Sequence, residues 1–445
     1  MKEILLCGAG RSSAALIDYL LENSTEYQWS ITIADKHVGD LMSIYKDNNQ
    51  LKIIPINLSD ENERNELIKT ADLVISMLPA RFHILLAKSC LRYKVNLATA
   101  SYVSEEMKAL EKEVEEAGVI FLNELGVDPG IDHLSAKKVL DKIVEEGGEV
   151  EAFETFTGGL LAPESDTNPW NYKFTWNPRN VVMAGQGGAV KFIQEGTYKY
   201  IPYHRLFRRT EKIYIEDYGY FEGIANRDSL KYRSIYGLEN IKTMYRGTLR
   251  RPGFCRAWDT FVQLGLTDDS YIIEKSEEYT FRSFVNLFLP YNPNDSVELK
   301  LQHYLNLAHD DIDLFEKLKW LDLFEDIKVG IKNATPAQIL QHILERKWKL
   351  EENDKDMIVM WHKFIYTNNG QQHELHSSMV VKGESLRNTA MAKTVGLPLA
   401  IASKMLLNQE FTQSGIHVPI MKSLYEPILN ELSTHGISFS ERVVS

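Results

Sequence analysis

Within the first 122 residues, six short apolar runs take turns with five amphipathic ones, and a chain patterned in this way has few folds open to it. The apolar runs are residues 4–7, 31–34, 51–56, 73–77, 95–98 and 119–122. Between them, residues 12–22, 38–46, 61–70, 81–93 and 104–117 carry apolar side chains at helical spacing, as Ala15, Leu16, Tyr19 and Leu20 do. Short runs without in–out alternation are strands covered on both faces, and strands that alternate with helices join through parallel crossovers. The expected fold class is therefore α/β, with a doubly wound parallel sheet of the Rossmann kind over residues 1–124.

The first strand runs into "CGAGRSS". There Gly8 permits a tight turn, Gly10 lets a pyrophosphate approach the backbone, and small Ser13 stands where a third glycine or alanine is usual. The helix N-terminus at Ser12 to Ala14 offers unpaired N–H groups and the positive end of a dipole, and Arg11, Ser12 and Ser13 join Gly8 and Gly10 in the expected cofactor set. Asp35 closes the second strand, where an acid can bond a ribose 2′-hydroxyl. That favours NAD, since a 2′-phosphate would meet a like charge, although Lys36 and His37 follow at once. Asp35 also reads as a plain strand-end turn residue. Ser76 and Leu78 of "SMLPARFH" end the fourth strand, where a loop can pass beside the dinucleotide, or Ser76 can simply cap a helix; Arg81 reads as solvent-facing.

The alternation stops at "NELGVDPGIDHLSA", which places Glu124, Asp128, Asp132 and His133 around a Pro-Gly turn. Asp132 reads as a helix cap. A second α/β domain is expected over residues 125–387, with a helical subregion at about 299–349, a strand at "MIVMWHKFIYTNN" and its hairpin partner at "QHELHSSMVV". Residues 388–445 return to helical patterning and are expected to fold back onto the first domain.

Composition narrows the function classes. The chain of 445 residues carries a net charge of −12 with no basic stripe, so a nucleic-acid partner is not expected. Cys7, Cys90 and Cys255 are far apart and odd in number, which argues against disulfides and zinc and for a reducing, cytoplasmic compartment. The apolar stretch from Thr394 contains Pro398 and Lys404, so no membrane partner is expected. A homodimer is left open.

Six segments in order, "ATASYVS", "NELGVDPGIDHLSA", "TGGLLAPE", "YKFTW", "NRDS" and "RGTLR", followed by "AKTVGLP", resemble the glutamate-forming saccharopine dehydrogenases, or saccharopine reductases. The resemblance implies a Rossmann domain, a second α/β domain, and a cleft between them for a nicotinamide cofactor and a branched amino acid. The implied reaction is NAD(P)-dependent interconversion of saccharopine with glutamate and 2-aminoadipate 6-semialdehyde, and the family implies NADP where Asp35 leans to NAD. Asp128 would bind the substrate amine and move protons, with Tyr102 across the nitrogen. Ser101, Asn226, Arg246, Gly247, Thr248 and Thr157 would hold the substrate, and Thr99, Ala100 and Trp176 would join the cofactor set, Phe174 adding to the apolar wall.

Imine chemistry needs groups that hold and move protons about one nitrogen, and a planar guanidinium such as that of Arg246 suits a carboxylate. Arg250 and Arg251 read as surface residues. Thr157 stands where the family commonly has cysteine, so any role that needs a thiolate is in doubt. A carboxynorspermidine dehydrogenase and a non-catalytic dinucleotide-binding sensor are the alternatives.

Overall fold

The computed structural model describes residues 1–46, 48–308 and 311–444. The chain divides into two compact units, one formed by Met1–Val150, Tyr366–His373 and Met379–Arg442, the other chiefly by Glu151–Ile365.

In the first unit the apolar runs become β1 (Lys2–Cys7), β2 (Trp29–Asp35), β3 (Leu51–Pro55), β4 (Leu73–Ser76), β5 (Asn96–Thr99) and β6 (Ile120–Leu122). They pair in parallel in the order β6-β5-β4-β1-β2-β3, so the order reverses between β1 and β4. Cys7 is in register with Ala34 on one side and Ser76 on the other, and Ser76 with Thr99, which aligns the carboxyl ends of four strands. That edge is where ligands bind in doubly wound sheets. The helix expected over residues 104–117 is two pieces, Glu105–Lys108 and Glu111–Ala117.

The second unit is built on β7 (Glu149–Leu161), β8 (Val190–Gln194), β9 (Thr197–Ile201), β10 (Thr210–Ile215), β11 (Gly219–Ala225), β12 (Thr243–Arg250), β13 (Asp356–Asn368) and β14 (Gln371–Lys382). β12 lies between β11, to which it is antiparallel, and β7, to which it is parallel. Trp170, Tyr172, Phe254, Trp258 and Trp348 pack ring against ring beneath this sheet, with centroids about 5 to 6 Å apart. Their burial explains why the aromatic-rich loop holds one shape without regular structure. The helical subregion comprises Val297–Tyr304, Ile312–Trp320 and Pro336–Lys347; residues 309 and 310 within it lie outside the described residues.

The tail re-enters the first unit. Helix Ala390–Leu407 packs on helix Ala14–Tyr27 so closely that a Cβ at Gly396 would come within 2.8 Å of the Leu16 amide nitrogen. By length and composition this helix could cross a membrane, but 83% of it is buried within the protein, as befits a core helix. β15 (Gly415–His417) then adds to the sheet beside β6. Helix Lys422–Thr434 packs on helix Ile131–Glu145, where Tyr425 Oη donates to Asp141 Oδ2 at 2.9 Å. β16 (Ser440–Val443) joins the second sheet at its β14 edge.

Candidate active site

The glycine turn leaves β1 through Gly8 at φ +90, a conformation open to glycine, and a Cβ there would press on Met77 and Leu78 at 3.0 Å. Leu78 thus lies against the turn at the point where the strand order reverses. A Cβ at Gly10 would meet no protein atom within 4 Å, so the approach to the helix N-terminus is open at that residue. Ser13 Oγ donates to Gly10 O at 2.7 Å and closes the turn. These residues fit a pyrophosphate. The Asp35 carboxylate accepts from the Ala9 amide through Oδ2 and from the His37 amide through Oδ1, both at 2.8 Å. Asp35 therefore shapes the glycine turn, while Arg11, Lys36 and His37 stand exposed around it.

At the ends of β4 and β5 lies a polar cluster in which the sequence reading overlooked one member. His83 Nδ1 is 2.8 Å from Ser76 Oγ and its Nε2 is 2.7 Å from Ser101 Oγ, and Thr99 Oγ1 donates to Ser76 O at 2.9 Å. His83 is buried, and burial pushes its pKa down to about 4, so the ring is neutral at pH 7. An unfolded histidine takes a proton near pH 6.5, the folded one only near 4. In that window the unfolded chain binds more protons, so stability falls as the pH falls. Between pH 6.5 and 4 the wild type should lose about 3 kcal/mol relative to His83→Gln, measured by denaturant unfolding. Parallel pH profiles for the two proteins would contradict a buried neutral His83.

The acidic turn after β6 resolves into braces and one partly exposed acid. Glu124 is buried, its Oε2 2.8 Å from His133 Nε2, and its Oε1 accepts from the Val103 amide at 3.0 Å. Asp132 Oδ1 accepts from the amides of Gly130 and His133 at 2.6 and 2.9 Å, which steadies the head of helix Ile131–Glu145. Gly130, at φ +147, approaches so near that a Cβ would sit 2.0 Å from Gly126 O. Held this way, the turn presents Asp128, and Tyr102 Oη donates to Asp128 Oδ1 at 3.2 Å. The structure thus joins Tyr102 with Asp128 and places Ser101 beside them; Ala100 O lies 3.3 Å from where a Cβ of Gly126 would be.

In the second unit, Thr157 is the register partner of Thr248, and the Asn226 amide donates to Arg246 O at 2.9 Å. Arg246, Thr248, Asn226 and Thr157 are thereby neighbours across three strands. Arg246 is buried, with its guanidinium 4.4 Å from the Tyr232 ring. Gly247 faces the other way: a Cβ there would lie 2.3 Å from the Phe156 ring, so packing accounts for its identity. Two expectations need correction. Phe174 is 1% exposed and packs against Trp348 at 5.3 Å, which makes it core, whereas Trp176 keeps some exposure. Arg250 is 7% exposed and not at the surface, because Tyr172 and Phe254 close over it. Cys7, Cys90 and Cys255 are buried, and burial pushes all three thiols up, so none supplies the thiolate that Thr157 lacks.

Family models match almost the whole chain: a saccharopine dehydrogenase NADP binding domain over residues 4–122 and a saccharopine dehydrogenase C-terminal domain over residues 126–437. The chain belongs to the saccharopine dehydrogenase family. The saccharopine dehydrogenase (NADP(+), L-glutamate-forming) of Saccharomyces cerevisiae is 30% identical over 450 residues, with 100% of both chains covered. Alpha-aminoadipic semialdehyde synthase, mitochondrial, of Bos taurus is 34% identical over 461 residues, which are 99% of this chain and 47% of that one. The chain thus spans about half the length of the synthases it matches. Among solved structures, apo saccharopine dehydrogenase (L-Glu forming) from Saccharomyces cerevisiae superposes with a TM-score of 0.90 at 29% identity, covering 100% of both chains. The doubly wound sheet and the second α/β domain are therefore the family's fold.

Proposed function

We propose that this chain is a glutamate-forming saccharopine dehydrogenase, which interconverts saccharopine with glutamate and 2-aminoadipate 6-semialdehyde using NAD(P). The observation that carries the reading is the Tyr102 Oη to Asp128 Oδ1 hydrogen bond, 3.2 Å, on a turn fixed by buried braces. It is supported by the full-length match to the yeast enzyme of that name. The bound cofactor supplies a hydride acceptor for the C–N carbon.

Asp128 takes the proton from the secondary ammonium before the C–N carbon is oxidised, and later serves the water that opens the imine. Tyr102 holds that carboxylate in place through its hydroxyl and can return a proton to the departing amine. Ser101, tied to His83, has a fixed hydroxyl for a substrate polar group. In the second unit Arg246 and Thr248 supply a cationic, hydrogen-bonding face for carboxylates. The test is a purified-protein assay with saccharopine and each oxidised cofactor: absorbance of reduced nicotinamide supports the reading, and its absence with both cofactors contradicts it.

Cofactor choice turns on Asp35, whose carboxylate serves the glycine turn as well as any ribose. Asp35→Ser is expected to relax discrimination against NADP at a cost in affinity for both cofactors, because two backbone amides lose their acceptor. Dissociation constants for each cofactor measure this. A wild type that strongly prefers NADP would mean that Arg11, Lys36 and His37 outweigh the acid. A cytoplasmic location is an expectation of this reading.

A further inference from the structure

Glu124 takes the left-handed backbone conformation, at φ +59, although it is not glycine. Such a conformation costs an L residue energy, persists where the surroundings over-determine it, and clusters at active sites. Glycine or asparagine would adopt it more easily, so the position keeps glutamate for the sake of its side chain. That side chain is buried and spans two segments: Oε1 accepts from the Val103 amide at 3.0 Å, while Oε2 lies 2.8 Å from His133 Nε2 in the head of helix Ile131–Glu145. The Glu124 amide donates to Ser101 O at 3.0 Å. One residue therefore grips the chain on both sides of Tyr102, through the carbonyl before it and the amide after it. Residues 101–103 have no regular structure of their own, so these bonds set where the Tyr102 ring starts. The Asp128 turn is closed separately, since the Ile131 amide donates to Gly126 O at 2.9 Å and the Asp132 amide to Val127 O at 3.2 Å, and it stands on the helix that carries His133. Glu124 thus ties the segment that carries Tyr102 to the turn that carries Asp128.

We infer that Glu124 is a positioning residue, which sets Tyr102 Oη against Asp128 by means of its own carboxylate and the His133 that aims it. The inference rests on the proposed reaction for its effect on turnover, and on the geometry alone for the placement of Tyr102. Glu124 is 2% exposed and His133 0%, so both act through the pair and not on a ligand. The pair is sensitive to placement: its 3.2 Å separation is longer than the ~2.8 Å common between hydroxyl and carboxylate oxygens, and a further shift of a few tenths breaks the bond. Reach is what the position selects. An aspartate, one methylene shorter, keeps the charge and tolerates the left-handed backbone, yet cannot span from His133 to the Val103 amide. A glutamine has the length and an oxygen that accepts from that amide. A role through charge would rank the two variants the other way.

The test uses the full chain in two measurements: steady-state kinetics with saccharopine, and denaturant unfolding of a double-mutant cycle over Tyr102→Phe and Asp128→Ala. Glu124→Asp should lower kcat at least tenfold and leave the dissociation constant of the cofactor within about twofold. Glu124→Gln should keep more of kcat than Glu124→Asp does. In a Tyr102→Phe background, Glu124→Asp should cost no more than about threefold in kcat, because the hydroxyl it places is already gone. A merely structural Glu124 would cost the same factor in both backgrounds, and that result overturns the inference. Unfolding needs no turnover: the cycle should show coupling between Tyr102 and Asp128 in the wild type and lose it in Glu124→Asp. Coupling kept in full in a folded Glu124→Asp overturns the inference, as does its absence from the wild type. So does a Glu124→Gln that loses more kcat than Glu124→Asp. Should Glu124→Asp not fold, His133→Phe takes its place, since it keeps a ring and removes the partner of Oε2, and unchanged coupling there overturns the inference instead. If the wild type does not turn over saccharopine but the coupling still depends on Glu124, the proposed reaction fails and the placement of Tyr102 stands.

Discussion

Asp128→Asn is expected to lower kcat for saccharopine at least tenfold, with about 10²-fold as the natural size of a lost acid/base contribution. The substitution keeps the size of the side chain and a hydrogen-bond acceptor for Tyr102 Oη, and removes the basic carboxylate. The fold should not suffer, because the braces of the turn are Glu124, His133 and Asp132 and not Asp128. Cofactor dissociation constants should stay near wild type, since the glycine turn is built from other residues. Stopped-flow single turnovers separate the chemical step from product release. Wild-type turnover in a folded Asp128→Asn protein would remove this aspartate from the mechanism.

Arg246→Ala is expected to raise KM for saccharopine at least tenfold, in keeping with about 2 to 5 kcal/mol for removing one member of a buried charge pair. On the proposed reaction saccharopine would bring three carboxylates to a protein of net charge −12, and a buried cation such as Arg246 would hold them against the general field. Arg246→Lys should recover only part, because a point charge cannot reproduce two parallel N–H donors. An effect on kcat without one on KM would place Arg246 in the chemical step and contradict carboxylate binding.

The first unit was legible because its strands are buried on both faces. Leu73, Val74 and Ile75 are all fully buried in β4, and an unbroken apolar run of that length between two amphipathic stretches has one reading. The glycine turn was legible for the same local reason, since Gly8 is fixed by its own φ and by Met77 and Leu78 just beyond β4. What could not be read were residues whose meaning depends on partners far along the chain. His83 follows Ser76 by seven residues and precedes Ser101 by eighteen, and nothing in the pattern says that one imidazole spans both. Arg250 sits beside Arg251 and Pro252, a stretch that reads as a polar strand end; only Tyr172, some eighty residues earlier, and Phe254 bury it. In sequence the acidic turn looks like a concentration of chemistry, yet its geometry assigns Glu124, Asp132 and His133 to holding the turn and leaves Asp128 partly exposed.

The substrate decides the account as a whole, since a cationic face built for carboxylates and a site for a polyamine cannot be the same site. Direct competition between saccharopine and carboxynorspermidine, with NADP or NAD as oxidant and reduced nicotinamide as the readout, measures it in one vessel. The account predicts kcat/KM for saccharopine at least tenfold above that for carboxynorspermidine, a margin set by the ammonium that would face Arg246 in place of a carboxylate. A higher kcat/KM for carboxynorspermidine would contradict the carboxylate-binding face and with it the proposed reaction.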